Sequence, residues 1–370
     1  HVAVVAETNG AVEKTTIYFN GDSIASVNDV ENTWNKIDLG RNRNENSPGN
    51  WTVDEVSVWN TARTPEQIQS DMYNAHAGTE DGLLVYWKAN AGTGTVLYDH
   101  TGNANHATIN GATWSTETPI LYQPQSKEEL QTAVDLWVSD EATALATYGD
   151  ISVWDVSLIT DMSSLFLDKN TFNSNISAWD VSNVTNMTEM FSNASSFNQD
   201  LSFWDVSNVT DMTGLFQGAT NFTSDLSNWN VSNAIYMIGT FQDATNFTSN
   251  LSNWDVSNVT SMGRMFVRAI SFESDLSNWD VSSVTDMHRV FDAASSFDSN
   301  LSNWDVSNAI TMDGIFTDAT NFTSDLSNWD VSNVTSMRLM FSGAISFESD
   351  LSNWDVSGVV DMHRMFDTAS

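Results

Sequence analysis

Tryptophan occurs at positions 154, 179, 204, 229, 254, 279, 304, 329 and 354, always 25 residues apart. A strict period in this range marks one repeated supersecondary unit, and neighbouring units must stack to bury a shared core. Methionine keeps the same phase from Met162 to Met362. So do phenylalanine from Phe166 to Phe366 and from Phe172 to Phe347, and alanine from Ala194 to Ala369. A longer period is nested in the first. Residues 233–291 closely match 308–366, an offset of 75, or three units.

One unit reads Leu251-Ser-Asn-Trp254-Asp-Val256-Ser-Asn-Val259-Thr-Ser-Met262-Gly-Arg-Met265-Phe266-Val-Arg-Ala269-Ile-Ser-Phe272. Trp254 and Val256 are two apart, which predicts one face of a short strand. After Val259 the apolar spacing becomes three and four, which predicts a helical or 3₁₀ turn. A strand followed by a tight return is one coil of a solenoid. Strict phase places the Met and Phe columns in its core. The text L-x-x-W-D-V-S-N-V-T-x-M-x-x-M-F-x-x-A-x-x-F resembles the DUF285-like repeat of BspA-type leucine-rich-repeat bacterial surface proteins. Over residues 150–370, Leu–Trp–Val takes the place of the leucine-rich strand signature. The resemblance implies an extracellular or bacterial cell-surface protein, often an adhesin, with no catalytic residues.

Residues 126–149 read as the N-terminal cap that such repeats carry. Ser126-Lys-Glu-Glu129 is a capping box, and Leu130, Ala133, Val134 and Trp137 form one helical stripe. Ser139 with Asp140 and Glu141 starts a second helix, which Gly149 ends. The opening at His1 and the close at Ser370 inside a repeat lead us to expect a piece of a longer protein.

Charge narrows the functional classes. The chain has 48 acidic and 13 basic residues, a net −35. Phosphate recognition needs Lys/Arg patches, so nucleic acid is excluded as a partner. Direct binding to anionic membranes is excluded on the same ground. No run of about 18 apolar residues is present to span a bilayer. Absence of cysteine removes disulfides, thiolate metal sites and Cys nucleophiles.

Much of the charge is itself a repeat. Asp155, Asp180, Asp205, Asp255, Asp280, Asp305, Asp330 and Asp355 follow Trp, with Asn230 in the remaining unit. A second column precedes Leu: Asp200, Asp225, Asp275, Asp325 and Asp350, with Asn at 175, 250 and 300. Like charges stacked at about 4.8 Å repel. Two readings of the first column stand side by side. Each carboxylate accepts hydrogen bonds from nearby backbone N–H groups or from Ser and Asn side chains, for example Ser157 and Asn183. Alternatively Ca²⁺ bridges neighbouring coils, which makes it the one cofactor candidate. Asp/Asn interchange in the second column suits turn chemistry. Arg264, Arg268, Arg289, Arg338 and Arg364 fall nine to fourteen residues after Trp and should share one outer edge. Asn-x-Ser/Thr sequons such as those at Asn183, Asn208, Asn258 and Asn333 arise automatically from the repeat.

Residues 1–115 alternate strand-like segments with turn signals. Val2–Val5 and Thr15–Phe19 are separated by Asn9-Gly10, and Asn20-Gly21 follows. Trp51–Trp59 alternates, Thr64-Pro65-Glu66-Gln67 starts a helix, and Leu83–Trp87 is a further strand. These features predict a β-sandwich. His1-Val2-Ala3, Tyr18-Phe-Asn-Gly21, Ile37-Asp-Leu-Gly40, Val53-Asp-Glu-Val-Ser-Val-Trp59 and Asp99-His-Thr-Gly-Asn-Ala-Asn-His106 resemble a laminin-G-like, concanavalin A-like jelly roll whose first strands are missing. That resemblance implies carbohydrate binding, calcium-dependent adhesion or, in one branch, glycoside hydrolysis. Hydrolysis needs two carboxylates flanking a cleft. Asp54 and Glu55 are adjacent and point to opposite faces, and the E-x-D-x-x-E pattern of sandwich glucanases is absent. Asp99, Asn103 and Asn105 offer oxygens for a Ca²⁺ ion or form a plain turn. His100 and His106 lack further ligands for zinc. Trp34, Trp51 and Trp87 stack on sugars if exposed and are core if buried.

The fold expected is mainly β. Residues 1–115 form a partial antiparallel β-sandwich (jelly roll) and 116–125 a linker. Residues 126–149 form a helical cap, and 150–370 a leucine-rich-repeat-like β-solenoid of nine 25-residue coils, the last truncated. The function expected is non-catalytic: adhesion to an extracellular glycan or protein ligand. The alternatives are self-association into a filament or sheath, and carbohydrate targeting within a larger secreted protein. A salty extracellular setting suits such acidic crowding, since screening acts over about 3–10 Å.

Overall fold

The computed structural model describes residues 2–9, 12–19, 22–29, 56–61, 63–64, 67–68, 76–88, 93–109 and 122–369. The chain divides into two compact units, His1–Thr118 and Pro119–Ser370.

In the first unit, β1 (Val2–Asn9), β2 (Val12–Phe19) and β3 (Asp22–Asp29) form an antiparallel sheet in that order. Asn9 pairs with Val12, and Phe19 with Asp22. Both connections are therefore two residues long, Gly10-Ala11 and Asn20-Gly21, and only the second is an Asn-Gly pair. β4 (Val56–Trp59) pairs antiparallel with β5 (Leu83–Trp87), and β6 (Val96–Leu97) with β7 (Ala107–Thr108). β5 buries Leu83, Val85, Tyr86 and Trp87. Thr64 and Gln67 make the reciprocal capping bonds: Gln67 N–H donates to Thr64 Oγ1 at 3.3 Å, and Thr64 N–H to Gln67 Oε1 at 3.0 Å. Trp34, the Ile37–Gly40 motif, Trp51, Asp54 and Glu55 lie outside the described residues.

The second unit opens with α1 (Lys127–Ser139) and α2 (Glu141–Tyr148). Ser126 caps α1, and its Oγ accepts from Glu129 N–H at 3.3 Å. The Glu129 carboxylate reaches one residue further back than a capping box requires, to Gln125 N–H at 2.7 Å. Asp140, not Ser139, caps α2, accepting from Thr143 N–H at 3.1 Å. The stripe Leu130, Ala133, Val134 and Trp137 is buried. It closes the first coil, where Trp137, Tyr122 and Tyr148 ring Trp154 at centroid distances of 5.9, 5.2 and 6.0 Å.

Beyond a single 3₁₀ turn at Ile151–Val153, the chain winds through successive 25-residue coils. They are joined by isolated parallel bridges running Asp161, Asn186, Asp211, Tyr236 and so on to Asp361. The bridge falls seven residues after Trp, so the strand expected at Trp-Asp-Val is not there. Three N–H groups in and just after that segment turn back within the same coil. Trp254 N–H donates to Leu251 O at 3.0 Å, Ser257 N–H to Asp255 Oδ1 at 3.1 Å, and Val259 N–H to Val256 O at 2.9 Å. The N–H groups of Trp254, Ser257 and Val259 are therefore not available to pair with a neighbour.

The stretch after the bridge is not helical. Alternate N–H groups leave for the next coil: Met262 to Asp286 O, Arg264 to His288 O, Phe266 to Val290 O and Arg268 to Asp292 O, at 2.7–3.1 Å. The intervening ones turn back three residues, as Met265 does to Met262 O at 3.1 Å. This switching puts the tenth and fourteenth residues after every repeat Trp in left-handed backbone. Glycine meets that demand at 214, 218, 239, 314 and 343. Arg264, Arg268, Arg289 and Leu339 adopt it at a steric cost.

The core consists of ladders. Trp, Met, both Phe columns, Ala and Leu are buried throughout the middle coils. Each indole Nε1–H donates to a carbonyl of the preceding coil, as Trp279 does to Leu251 O at 2.9 Å. Thr240, a fully buried polar residue, donates to Met212 O and Met237 O. Among the described residues no buried side-chain polar atom lacks a partner.

Equivalent rings measure the displacement from coil to coil. It is 5.7–5.8 Å for Phe241, Phe266, Phe291 and Phe316. It is 6.0–6.2 Å for Phe272, Phe297 and Phe322, and 6.4–6.5 Å for Trp279, Trp304, Trp329 and Trp354. The bridge edge has the spacing of paired strands, about 4.8 Å. The stack therefore opens progressively from the bridge edge towards the tryptophan face.

Candidate functional site

The tryptophan face carries the polar columns, because the neighbours of a buried Trp point outward. In the Asp column, Oδ1 of each residue accepts the N–H of the serine two places on, at 3.0–3.2 Å from Asp155 to Asp355, with Asn230 in the same role. The Ser157 hydroxyl adds a second bond to Asp155 at 2.6 Å. Asn183 does not serve the carboxylates. Its Nδ2 donates to Ser157 O in the preceding coil at 2.9 Å, and Asn208, Asn233, Asn258, Asn308 and Asn333 repeat that bond at 2.7–2.8 Å. The sequon asparagines 183, 208, 258 and 333 are thus structural rungs.

The second column caps turns in the same way. Asp200, Asp225, Asp275, Asp325 and Asp350, with Asn175, Asn250 and Asn300, accept the N–H of the serine two residues on at 2.9–3.0 Å. A serine column that motif reading passed over completes the circuit. Ser249, Ser274 and Ser299 are buried, accept from Leu226, Leu251 and Leu276 N–H at 2.8 Å, and donate to Asp225, Asn250 and Asp275. Its signal was a small polar residue in strict phase with the core.

These bonds hold the carboxyls of Asp225, Asp275, Asp280, Asp325, Asp330, Asp350 and Asp355 below their usual range. The backbone N–H of Ser227 does so for Asp225 and that of Ser277 for Asp275, with burial opposing. The hydroxyls of Ser282, Ser332 and Ser357 lead the effect at Asp280, Asp330 and Asp355. The folded state therefore binds fewer protons than the unfolded one between the lowered values and the ordinary Asp value of about 3.9. Stability conferred by these caps is complete above about pH 4 and is lost as pH falls through the lowered values. Urea midpoints measured from pH 7 to pH 2.5 are expected to hold level down to about pH 4 and then fall. A midpoint rising on acidification would contradict this.

In the first unit, burial pushes the Asp99 carboxyl up. Backbone N–H groups of Thr101, Tyr86 and Asn105 and the Thr101 hydroxyl outweigh it and hold the value at about 2. All of these bonds are 2.9–3.0 Å. Asn103 and Asn105 turn their Nδ2 groups to Leu84 O at 3.1 and 2.9 Å. His106 Nδ1 accepts from Asp99 N–H at 3.0 Å. Trp87 is buried, with Nε1–H on Asn105 O at 2.8 Å, so it offers no sugar platform.

In these donor sets Asp99 and the Oδ1 atoms of the Asp column are already engaged by hydrogen bonds. Asp99 is saturated by donors, and its two Asn neighbours present N–H rather than oxygen. Oxygens sharing one Ca²⁺ lie within about 5.2 Å of each other, given Ca–O distances of 2.3–2.6 Å. The indole centroids of successive coils on the tryptophan face are 6.4–6.5 Å apart. Among the described residues no three His, Cys, Asp or Glu side chains gather as metal ligands. EDTA is expected to leave the melting temperature unchanged relative to added Ca²⁺. A rise of several degrees with Ca²⁺ would overturn this.

The arginine edge is locally neutralised. Arg268 makes a bidentate pair with Asp243 at 2.5 and 2.7 Å, and Arg289 faces Asp292 at 3.7 Å. The tryptophan face is different. The residue before Trp is Asn at 228, 253, 278, 303, 328 and 353. All six are exposed, and their amides make no hydrogen bond, unlike the ladder at 183–333. Asn278 lines an open trough of about 660 Å³ with Asn250, Ser252, Glu273, Ser274 and Asp275. The arrangement has hydrogen-bonding capacity and negative charge but no enclosed cleft. Among the described residues no helix is long and apolar enough to cross a membrane.

The family described as "Mycoplasma protein of unknown function, DUF285" matches residues 137–251, 200–284, 223–320 and 300–370, together more than half of the chain. The concanavalin A-like lectin/glucanases superfamily, in its laminin G form, matches residues 1–69. No curated protein and no solved structure matches the chain.

Proposed function

The chain belongs to the DUF285 family and carries a laminin-G-type lectin-like domain ahead of its repeats, and on that premise we propose that it is a non-catalytic bacterial surface protein that binds an extracellular glycan or protein. The repeats would act as a BspA-type leucine-rich-repeat β-solenoid, capped at residues 126–149 and following a partial jelly roll. One observation carries the reading. The six asparagine amides on the tryptophan face are exposed, periodic and without partners, beside Asp, Asn and Ser columns that are committed to holding the coils together. A lectin-like neighbour and net charge of −35 support an extracellular setting with a ligand that tolerates or seeks acid.

Two measurements on the purified chain test this. Sedimentation at micromolar concentration is expected to show a monomer. Immobilised extracellular glycans and matrix proteins are expected to include at least one saturable ligand. Ordered polymerisation without any saturable ligand would replace this reading with that of a filament subunit.

A further inference from the structure

We propose that the asparagine column of the tryptophan face, Asn228 to Asn353, is a docking track for an extended, basic polypeptide strand that runs along the stack and spends two residues per coil. The inference rests on the surface-binding reading above and names its partner.

Three observations lead to it. The first is spacing. Coils on this face are displaced by 6.4–6.5 Å. An extended chain rises 3.2–3.4 Å per residue, so alternate residues, which point to one side, recur at about 6.4–6.8 Å. Four of the five intervals from Asn228 to Asn353 have this indole spacing, 6.4–6.5 Å, and over the whole of about 32 Å roughly ten residues of extended chain keep the same period. The Phe face, at 5.7–5.8 Å, would drift out of phase within a few coils.

The second is chemistry. A primary amide both donates and accepts, as does a peptide group. An unpaired amide at each step can therefore take the backbone of an extended segment without reading its side chains. The other asparagine ladder is unavailable, because each Nδ2 already holds the preceding coil.

The third is charge. Asp255, Asp280 and Asp305 follow asparagines of the column by two residues, and Asp225, Asp275 and Asp325 precede asparagines of the column by three. Their Oδ1 atoms are engaged by serine. Lysine or arginine at alternate positions of the strand would meet one carboxylate per coil, in step with the amides. An acidic strand would be repelled along the whole track.

The test uses three twelve-residue peptides with the complete chain at moderate salt: alternating Lys-Ser, six lysines followed by six serines, and alternating Glu-Ser. Affinity is read by fluorescence anisotropy. The alternating Lys-Ser peptide is expected to bind at least ten-fold more tightly than the block peptide of identical composition, and the Glu-Ser peptide not at all. Replacing the six asparagines by alanine is expected to cost the Lys-Ser peptide at least ten-fold. These side chains are exposed and unbonded, so the melting temperature should not move, and it serves as the folding control. Replacing them by glutamine keeps an amide and should retain part of the affinity. Equal affinity for alternating and block peptides, or no loss in the alanine variant, would overturn the track and leave diffuse charge attraction. Saturable binding of a glycan with no binding of the Lys-Ser peptide would overturn it while preserving the surface-binding reading. Absence of any ligand would defeat both.

Discussion

Trp279→Ala is expected to lower the unfolding free energy by about 3–5 kcal/mol through lost burial and the cavity left behind. Removal of its indole N–H leaves the Leu251 carbonyl without its partner, a further cost of about 1–3 kcal/mol. The indole is 4% exposed, lies 2.9 Å from that carbonyl, and sits between Phe266 and Trp304. A mid-stack residue supports two interfaces, because stability in such arrays is a sum of coil and nearest-neighbour terms. Trp279→Phe keeps most of the apolar surface and should cost chiefly the hydrogen bond. Trp354→Ala, in the last coil and already 9% exposed, should cost less than Trp279→Ala. Urea titrations of the three variants check the order. Equal losses at 279 and 354, or a loss below about 1 kcal/mol at 279, would contradict the ladder account.

Phase was the legible part of this fold. Columns at a constant offset from Trp had to share one environment, and Met262, Phe266, Phe272 and Leu276 are all buried. The helical cap was legible for a local reason: Ser126 and the stripe from Leu130 to Trp137 are short-range signals. What phase could not show is where one coil bonds to the next. Trp-Asp-Val reads as a strand by alternation, yet Trp254, Ser257 and Val259 turn their N–H groups back to Leu251, Asp255 and Val256 within the same coil. The pairing moved to Ser261 and the residues after it, where identities vary most: Tyr236, Ser261, Asp286 and Thr311 occupy one bridge column. The backbone bridge forms whatever the side chain in that column, so side-chain identity carried no signal for it.

The candidate site was legible in part. Periodic acids announced columns, and Asx–serine turns were among the readings their spacing allowed. The two asparagine columns were indistinguishable in the sequence, since both keep strict phase. Only geometry separates them: Asn258 reaches Ser232 O at 2.8 Å, whereas Asn253 reaches nothing. The residues left free are the ones on which the proposed binding surface depends.

The central claim is that the structural unit is a 25-residue coil bonded only to its neighbours. Deleting residues 254–278 joins Asn253 to Trp279, leaves every column in phase, and removes one coil. Deleting residues 254–266 removes Trp254, Val256, Val259, Met262, Met265 and Phe266, six buried residues, and leaves a coil of half length. The first variant is expected to unfold in one cooperative transition with only a modestly lower urea midpoint. The second should lose more than the roughly 5 kcal/mol that a single large-to-small core change can reach, and should lose cooperativity. Urea unfolding followed by tryptophan fluorescence compares the two directly. A near-native midpoint for the 25-residue deletion beside a collapsed one for the 13-residue deletion is the predicted result. Comparable midpoints for both would contradict the account.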